Sequence, residues 1–370
     1  MNPALPLAGK TVLAAMSGGV DSSVTAALLQ RQGANVIGIT LNVWPEEETP
    51  CARSCCSVTD VDDARAVCNV LGIPHYVLNT QADFKRSVID YFTAEYLHGR
   101  TPNPCIACNA HVKFAAMLRK ADEFCADYIA TGHYARIERD GELFRLTRAA
   151  DAHKDQTYVL YMLTQMQLGR ILFPCGGYEK PQIRALAKEF GLPTFQKADS
   201  QDLCFIGRGG YAGFLRENCA DLLRPGNIVD ESGHILGQHD GVYCFTVGQH
   251  KGLGSFSDKK LYVLSINAER AEVHVGENNM LFANGALVGG LNRLLPNTLT
   301  DAARVQVKIR YNAPAVPATV YTQPDGTLRV EFDAPQRAVT PGQAAVFYDG
   351  DAVLGGGMIE QAIERDLLQA

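Results

Sequence analysis

The amino-acid sequence predicts an α/β domain built on a parallel sheet, followed by a mostly β central domain and a C-terminal β-barrel. Two observations predict the first part: short apolar runs alternate with segments of helical spacing, and a glycine loop joins the first run to the first helix. A third observation predicts the rest, because from Gly226 onward helical periodicity gives way to short alternating runs separated by Gly, Asp and Asn. The expected domain boundaries are 8–210, 211–288 and 289–370.

Length and composition agree with several domains in a reducing compartment. The 370 residues exceed the roughly 250 to 300 at which single cores stop growing. No apolar run is long enough to span a membrane, and MNPALPLAGK at the N-terminus lacks the pattern of a signal peptide. Eleven cysteines in such a chain favour thiol chemistry or metal binding over structural disulfides. We therefore expect a cytoplasmic protein and, by default, a monomer.

The formal net charge is −6, so the chain as a whole is not electrostatically attracted to nucleic acid. A nucleic-acid partner would have to use a local patch.

The stretch SGGVDSS at 17–23 is the strongest local signal. It follows an apolar run at 11–16 and precedes a helical pattern over 24–32, so strand, glycine turn and helix are expected in that order. Gly18 and Gly19 lack a Cβ, which lets the backbone amides and the helix N-terminus approach an anion. The loop has no Walker-type lysine, Ser17, Ser22 and Ser23 add hydroxyl donors, and Asp21 is placed to hold Mg²⁺ against a leaving phosphate.

The complete string resembles the pyrophosphatase-type P-loop of enzymes that split ATP into AMP and pyrophosphate. A glycine turn that merely caps an α/β helix is the plain alternative.

Further βα units are expected along the N-terminal half. Strands are predicted at 35–41, 75–78 and 128–131, helices at 59–71 (capped by Thr59 and Asp62), 83–97, 111–126 and 181–190, and a hairpin at 135–148. Leu41 and Gly132 follow or end strands of the predicted sheet, where nucleotides commonly bind. The plain interpretation of Leu41 is a core leucine. The plain interpretation of His133, which follows Gly132, is a loop residue.

Cysteines recur in three places. Two X-Pro steps in GRTPNPCIACN, residues 99–109, predict a rigid extended loop that presents Cys105 and Cys108. No second pair follows at zinc-ribbon spacing, so redox or sulfur chemistry is favoured over half of a zinc site. Cys204 lies in an apolar, strand-like segment with Lys197 nearby, which suits either a buried thiol or an activated thiolate. The cluster CARSCCS lacks a fourth metal ligand, and a structural or incidental role is favoured for its Cys51, Cys55 and Cys56.

The C-terminal part is predicted as short strands. They are expected at 228–229, 243–247, 261–266 and 272–275, followed by the alternating segments VQVKIRY, ATVYT, LRVEF, AVFYDG and AVLGGGMIE of a small closed barrel. The glycine-rich basic stretch GQHKGLGS at 248–255 is expected to be a mobile loop.

Eight segments resemble those of the bacterial tRNA-specific 2-thiouridylase family and occur in one order along the chain. They are the glycine loop, GRTPNP-x-x-x-CN, ATGHY, KDQ, the Cys204 stretch, GQHKGLG, KIRY and TPGQAAVFY. The resemblance implies an N-terminal nucleotide α-hydrolase-like domain of the PP-loop ATP pyrophosphatase type. It also implies a tRNA sulfurtransferase that adenylates the C2 oxygen of the wobble uridine with ATP and Mg²⁺. Sulfur would then come from a Cys204 persulfide with Cys108 as nucleophile, giving 2-thiouridine, AMP and pyrophosphate and leaving a Cys108–Cys204 disulfide to be reduced.

The same resemblance assigns binding residues. The ATP-binding set is Ala15, Met16, Ser17, Gly18, Gly19, Val20, Asp21, Ser22, Leu41 and Gly132. The target base would meet Asn103, Pro104 and Cys105, and the rest of the tRNA would meet His133, Lys154, Asp155, Gln156, Arg310, Tyr311 and Gln343. Partners would be tRNA with a wobble uridine and a sulfur-relay protein or cysteine desulfurase as the persulfide donor.

One departure from the family pattern opens a second mechanism. Many relatives have aspartate where this chain has Cys105, and the three thiols Cys105, Cys108 and Cys204 are a possible ligand set for an iron–sulfur cluster. Two other functions also stay open at this stage: a different ATP-splitting amide synthase or ligase, and a non-enzymatic ATP-sensing RNA-binding module.

Overall fold

The computed structural model describes residues 7–44, 58–198, 203–206, 209–254 and 260–364. The strands, in chain order, are β1 Thr11–Ala15, β2 Asn35–Asn42, β3 His75–Asn79, β4 Tyr128–Ala130, β5 Arg136–Asp140, β6 Leu143–Thr147, β7 Ile171–Leu172, β8 Gly226–Val229, β9 Ile235–His239, β10 Tyr262–Asn267, β11 Glu272–Gly276, β12 Phe282–Arg293, β13 Ala303–Lys308, β14 Val316–Thr322, β15 Leu328–Arg337, β16 Ala344–Asp349 and β17 Ala352–Glu364.

The α-helices are α1 Val20–Arg31, α2 Val58–Leu71, α3 Gln81–Phe84, α4 Asp90–Leu97, α5 Pro104–Ala107, α6 Phe114–Glu123, α7 Gln165–Leu168, α8 Lys180–Glu189 and α9 Gly210–Asn218. Two π-helical turns join successive helices, Lys85–Ile89 between α3 and α4 and Cys108–Lys113 between α5 and α6. No helix in the described ranges is long and apolar enough to cross a membrane.

The chain forms two compact units. The first contains residues 1–88, 105–206 and 351–353, and the second contains 89–104, 207–350 and 354–370.

The first unit is built on a parallel sheet with the strand order β3-β2-β1-β4-β7. Apolar strands such as β1, whose Val12, Leu13 and Ala14 are fully buried, need cover on both faces, and helices supply it. The strand order reverses between β1 and β4, because β2 and β4 lie on opposite sides of β1. Ligands of open α/β sheets bind at the carboxyl ends of strands at such a reversal.

The second unit is mostly β. Its smaller sheet has the order β10-β11-β8-β9 around a core that includes Ile228, Val263 and Val273. Its barrel follows the order β12-β15-β14-β13-β16-β17, and the antiparallel pairing of β12 with β17 closes it. Alternate residues of these strands, Val305 and Val307 among them, fill the barrel interior.

The predicted fold class is confirmed, and several local predictions were wrong. The first helix begins at Val20 rather than at residue 24, so Asp21, Ser22 and Ser23 are helical. Thr59 lies inside α2 and not at its cap. The predicted strand at 243–247 is a 3₁₀ turn, Val242–Cys244, whose buried Val242 and Tyr243 follow no strand alternation. Strands β9 and β12 were not predicted, since glycines and polar residues interrupt their apolar pattern.

Candidate active site

The glycine loop lies at the carboxyl end of β1, beside the end of β4. Met16 continues the sheet pairing, because its N–H donates to the carbonyl of Ile39 at 2.8 Å and its own carbonyl accepts from the Thr40 hydroxyl at 2.8 Å. A Cβ on Gly132, two residues after β4, would lie 2.9 Å from backbone atoms of Asp21 and Ser22. The sequence therefore brings the loop and Gly132 together at the reversal of strand order.

Gly18 makes the tight turn of the loop possible. Its φ is +67°, and a Cβ there would lie 2.3 Å from the carbonyl oxygen of Asp60 in α2. Gly19 then caps α1 with extended backbone. The Ser22 and Ser23 hydroxyls donate to the Gly19 carbonyl at 3.0 and 2.7 Å. The exposed Ser17 also donates its hydroxyl within the loop, to the Ser22 oxygen at 3.2 Å, so the backbone amides at the start of α1 are what the loop offers an anion.

Two of the other predicted nucleotide residues, Met16 and Val20, can offer a nucleotide only their backbone. Met16 and Val20 are 2 % and 4 % exposed, so their side chains belong to the core. Leu41 is half-buried near the end of β2, two residues after Ile39, the register partner of Ala15.

Asp21 is the centre of a charged network. The ammonium of Lys180, at the first position of α8, donates to both Asp21 carboxylate oxygens at 2.8 Å, and the Tyr134 hydroxyl donates to one of them at 2.7 Å. Lys180 is only 8 % exposed. A buried cation of this kind needs a close counter-charge, and Asp21 provides it. The glycine loop has no lysine of its own, but the Lys180 ammonium supplies a cation beside the Asp21 carboxylate.

Asp151 holds the Lys180 backbone and the segment that contains the predicted residues Lys154, Asp155 and Gln156. It accepts from the Lys180 N–H at 2.9 Å and from the Lys154 N–H at 3.2 Å. Burial raises the pKa of Asp151, but the backbone donors of Lys180, His153 and Lys154 outweigh it, so the net pKa is below its usual value. Asp151 therefore stays ionised beside the network.

Asp155 and Gln156 both have internal partners. Asp155 is 6 % exposed and accepts from the Ala149 N–H at 3.1 Å and the Thr157 hydroxyl at 2.7 Å. Gln156 accepts from the Tyr134 N–H at 2.9 Å and donates its own N–H to the Tyr134 carbonyl at 2.8 Å. These bonds fix the segment onto Tyr134, the residue that contacts Asp21.

His133 is neutral. Burial lowers the pKa of its imidazole to about 3, with a further contribution from the charge of Lys113. One ring nitrogen lies 2.7 Å from the Thr131 hydroxyl, and the ring packs against both Phe114 and Phe173, with centroids 5.7 and 5.9 Å away. Toward a nucleic acid it can act as a ring or a neutral hydrogen-bonding group, but not as a cation.

The prediction that Cys105 and Cys108 stand on an extended loop was wrong. Pro104 begins α5, and the π-helical turn that follows begins at Cys108. Proline has no N–H to donate and its φ suits the first turn of a helix, so an X-Pro step can precede a helix as readily as a loop. Cys105 is exposed and Cys108 is buried. A π-helical turn inside a helix is often found at functional sites.

The residue after Cys108 joins this helix to the 154–156 segment. Asn109 is 3 % exposed, and its side-chain N–H donates to the Val159 carbonyl at 3.0 Å. Cys108 and the segment held by Tyr134 are thus parts of one hydrogen-bonded framework.

Cys204 lies in a turn, not in the predicted strand. Residues 203–206 form the turn, closed by a bond from the Ile206 N–H to the Leu203 carbonyl at 3.1 Å. Phe205 is 1 % exposed and packs on Trp44 and Phe84, while Cys204 is half-buried. The aromatic anchor sets the position of the thiol.

Lys197 is paired with two carboxylates of α2. Its ammonium lies 2.6 Å from Asp60 and 2.5 Å from Asp63 of α2. Burial lowers the pKa of Lys197, but the two carboxylates outweigh that effect and raise it. Lys197 is therefore an anchor that joins the approach to Cys204 to the helix against which Gly18 packs.

The residues present suit one of the two implied inorganic groups. Asp21 would hold Mg²⁺ together with substrate phosphates, as magnesium sites with few protein ligands do. Within the described part of the chain, no three His, Cys, Asp or Glu side chains are grouped so as to hold a metal ion, and this includes Cys105, Cys108 and Cys204. The iron–sulfur alternative therefore has no assembled ligand set here. Cys51, Cys55 and Cys56 lie outside the described residues.

The remaining predicted residues belong to the second unit. Arg310 donates through one guanidinium nitrogen to the Thr340 hydroxyl at 2.6 Å and to the Ala338 carbonyl. Tyr311 is 36 % exposed, with the Lys308 ammonium 5.6 Å from its ring centroid. Gln343 donates to the Thr101 carbonyl, just before Asn103 and Pro104.

Sequence reasoning missed the partners of Asp21. Tyr134 lies in the motif ATGHY, whereas Lys180 and its partner Asp151 lie outside the motifs named above. The available signals were a lysine directly before Pro181 and an aspartate before the KDQ segment.

A glycine loop and a helix N-terminus stand at the reversal of a parallel sheet, and the same unit contains the cysteines described above. These features define a nucleotide-binding α/β protein equipped for thiol chemistry. The family models described as the tRNA methyl transferase HUP domain, the tRNA methyl transferase PRC-barrel domain and the aminomethyltransferase beta-barrel domain match residues 10–208, 212–277 and 283–359.

The chain is 51 % identical over 362 residues to the tRNA-specific 2-thiouridylase MnmA of Symbiobacterium thermophilum, covering 96 % of this chain and 93 % of that protein. It is 51 % identical over 356 residues to the protein of the same name from Acetivibrio thermocellus, with 95 % and 99 % covered. The Clostridium acetobutylicum protein of that name is 48 % identical over 354 residues, with 95 % and 99 % covered. The chain belongs to the tRNA-specific 2-thiouridylase family.

Proposed function

We propose that this chain is a tRNA-uridine 2-sulfurtransferase that adenylates the C2 oxygen of a wobble uridine and replaces that oxygen with sulfur. The observation that carries the proposal is that one unit contains both a glycine loop and helix N-terminus, where the buried Lys180 pairs with Asp21, and the two cysteines Cys108 and Cys204. An ATP-splitting ligase has no need of those cysteines, and a thiol enzyme without ATP has no need of the loop.

The loop would bind the ATP phosphates. The backbone from Ala15 to Ser22, with Leu41 and Gly132 at the neighbouring strand ends, would surround the nucleotide, and Mg²⁺ held at Asp21 would neutralise charge on the departing pyrophosphate. The amides at the start of α1 and the Lys180 ammonium stabilise negative charge that develops there. The C2 carbonyl of uracil is a poor electrophile, and adenylation turns its oxygen into a leaving group.

Sulfur would come from a persulfide on Cys204. The Cys108 thiolate attacks the inner sulfur of the persulfide, a Cys108–Cys204 disulfide forms, and hydrosulfide leaves. Hydrosulfide adds to C2 of the adenylated uracil, and AMP departs with the former C2 oxygen. An external dithiol then reduces the disulfide, and a sulfur-relay protein or a cysteine desulfurase reloads Cys204.

The target base would be extruded from the stacked anticodon, because a stacked uracil hides its reactive edge. Asn103, Pro104 and Cys105 would meet the base. His133, Lys154, Asp155, Gln156, Arg310, Tyr311 and Gln343 would contribute to the tRNA site, some through the internal bonds described above. The reaction would take place in the cytoplasm, where tRNA is found.

The test is AMP formation from ATP and Mg²⁺, with unmodified tRNA carrying a wobble uridine, with the same tRNA carrying a wobble cytidine, and without tRNA. We expect AMP only with the wobble-uridine tRNA, and Asp21→Asn should bind ATP without turning it over. AMP formed equally well without tRNA would indicate a small-molecule adenylating enzyme. Tight RNA binding with no AMP under any condition would indicate the binding module.

A further inference from the structure

A turn of the barrel is hydrogen-bonded to the segment that leads to Cys105 and Cys108. The turn comprises residues 340–343, TPGQ, between β15 and β16. The Gln343 side-chain N–H donates to the carbonyl of Thr101 at 2.8 Å and to that of Pro102 at 3.4 Å, and the Thr101 N–H donates to the Pro341 carbonyl at 2.9 Å. Residues 101–103 form no helix or strand, so these bonds take the place of regular structure.

The turn is itself held on two sides. Gly342 donates its N–H to the Ile359 carbonyl at 2.9 Å, and the Ile359 N–H donates to the Gln343 carbonyl at 2.8 Å. On the other side the Arg310 guanidinium donates to Thr340, which is 2 % exposed. The donors and acceptors that reach Thr101 therefore stand on a rigid support.

Gly342 is required for the contact. Its φ is +90°, and a Cβ at this position would lie 2.8 Å from the Thr101 nitrogen and 3.0 Å from its carbonyl carbon and oxygen. A side chain there would push against backbone atoms that cannot rotate away.

The rest of the lead-in is tied down as well. Arg100 pairs with Glu95 at 2.8 Å, with side chains 30 % and 19 % exposed, and Gly99 packs against Ile266. Two residues after Thr101 come Asn103 and then Pro104, which begins α5. A displacement of Thr101 is thus passed along the chain to the start of the cysteine-bearing helix.

We propose that Gly342 and Gln343 are positioning residues, which hold Thr101 and Pro102 so that Asn103 and Pro104 stand ready for the extruded uridine. This inference rests on the proposed function, because it assigns the base to that segment. The Gln343 amide donates to the carbonyls of Thr101 and Pro102 and so acts inside the protein. Its substitution should therefore lower the rate of reaction at the uridine more than the affinity for tRNA.

The experiment compares Gly342→Ala with Gly326→Ala. Gly326 also has a positive φ, +85°, but a Cβ there meets nothing within 4 Å, so the control carries the same backbone strain without the clash. In Gly342→Ala we expect kcat for tRNA-dependent AMP formation to fall between about 10-fold and 100-fold, the usual cost of a small misplacement. The Kd for tRNA should change by less than about threefold. A fall in kcat with a nearly constant Kd indicates that the reacting base is misplaced while tRNA binding is retained.

Gln343→Ala is the second variant and decides the matter if Gly342→Ala does not fold. It should lower kcat in the same direction with tRNA affinity nearly unchanged. Hydrogen exchange supplies a readout that is independent of turnover: the Thr101 amide should exchange faster in both variants and remain protected in Gly326→Ala.

Two results would overturn the inference. One is a Gly342→Ala enzyme with the kcat and Thr101 exchange of Gly326→Ala. The other is a Gln343→Ala enzyme with weakened tRNA binding, unchanged kcat and a protected Thr101 amide, which would make Gln343 a direct RNA contact. Failure of the proposed function is distinguishable, since the wild-type chain itself would then form no tRNA-dependent AMP.

Discussion

The Lys180 ammonium lies 2.8 Å from each carboxylate oxygen of Asp21, although the two residues are 159 positions apart. Asp21 stands in the first turn of α1 and Lys180 in the first turn of α8. The packing of α8 thus supplies the cation that the glycine loop lacks. The pair orients the carboxylate and offsets the negative charge that phosphates would meet there.

Replacing Lys180 by methionine should weaken ATP binding by about tenfold or more, since the partly exposed Asp21 carboxylate would then face the phosphates without its partner. AMP binding should change less, because AMP lacks the β- and γ-phosphates. Lys180→Arg should retain part of the affinity. Titration calorimetry measures each, and the control is Lys188→Met, an exposed lysine of the same helix. Equal ATP affinities of the two methionine variants would contradict the role given to the pair.

Alanine at Gly18 should abolish ATP binding and destabilise the first unit. The added Cβ combines left-handed strain, about 1–2 kcal/mol, with a clash against the Asp60 carbonyl. Gly72→Ala is matched, because Gly72 has a φ of +64° and open space around it. Urea unfolding and ATP titration should show strain alone in Gly72→Ala, with normal nucleotide binding. If both variants bound ATP alike, the close approach of Asp60 would have no bearing on the loop.

His133 should make stability depend on pH in the acid range. Its pKa is about 3 when folded against 6.5 when exposed, so below pH 6.5 the unfolded chain binds a proton that the folded chain does not. This contribution is fully present above pH 6.5 and is lost by up to about 1.4 kcal/mol per pH unit as the pH falls toward 3.

The measurement is urea unfolding between pH 7 and pH 4. His133→Phe should flatten the acid slope, because phenylalanine cannot take up the proton. An unchanged slope in His133→Phe would show that the imidazole is not held neutral.

Serine at Cys108 or Cys204 should separate adenylation from sulfur transfer. Each variant should still form AMP with tRNA, because the loop and the Asp21–Lys180 pair are intact, but should yield no 2-thiouridine. Cys125→Ser is the control, because this exposed cysteine precedes β4 and lies at the opposite end of that strand from Gly132. Thiolation by a Cys204→Ser enzyme would rule out the persulfide route.

The sequence predicts the sheet, the glycine loop and the barrel because their signals are local. Apolar runs, a turn that needs Gly18, and alternating barrel strands can be recognised within a few residues. The helical start at Val20 differs from the prediction, because the glycines of SGGVDSS favour a turn while Asp21 and Ser22 also suit the first turn of a helix.

The rest depends on tertiary packing. The partners of Asp21 and the contact of Gln343 with Thr101 each join residues more than 100 positions apart. No local pattern specifies such pairs. The error at Pro104 had a different cause, since a proline after an extended residue is compatible with both a loop and a helix start, and only the packing of Cys108 and Asn109 in the core decides between them.

The most direct test of the account is a single turnover of Cys204-persulfide enzyme with ATP, Mg²⁺ and unmodified wobble-uridine tRNA, followed by nucleoside analysis of the tRNA. We expect 2-thiouridine and AMP in equal amounts, together with a Cys108–Cys204 disulfide in the protein. AMP without 2-thiouridine, or 2-thiouridine formed without ATP, would contradict it.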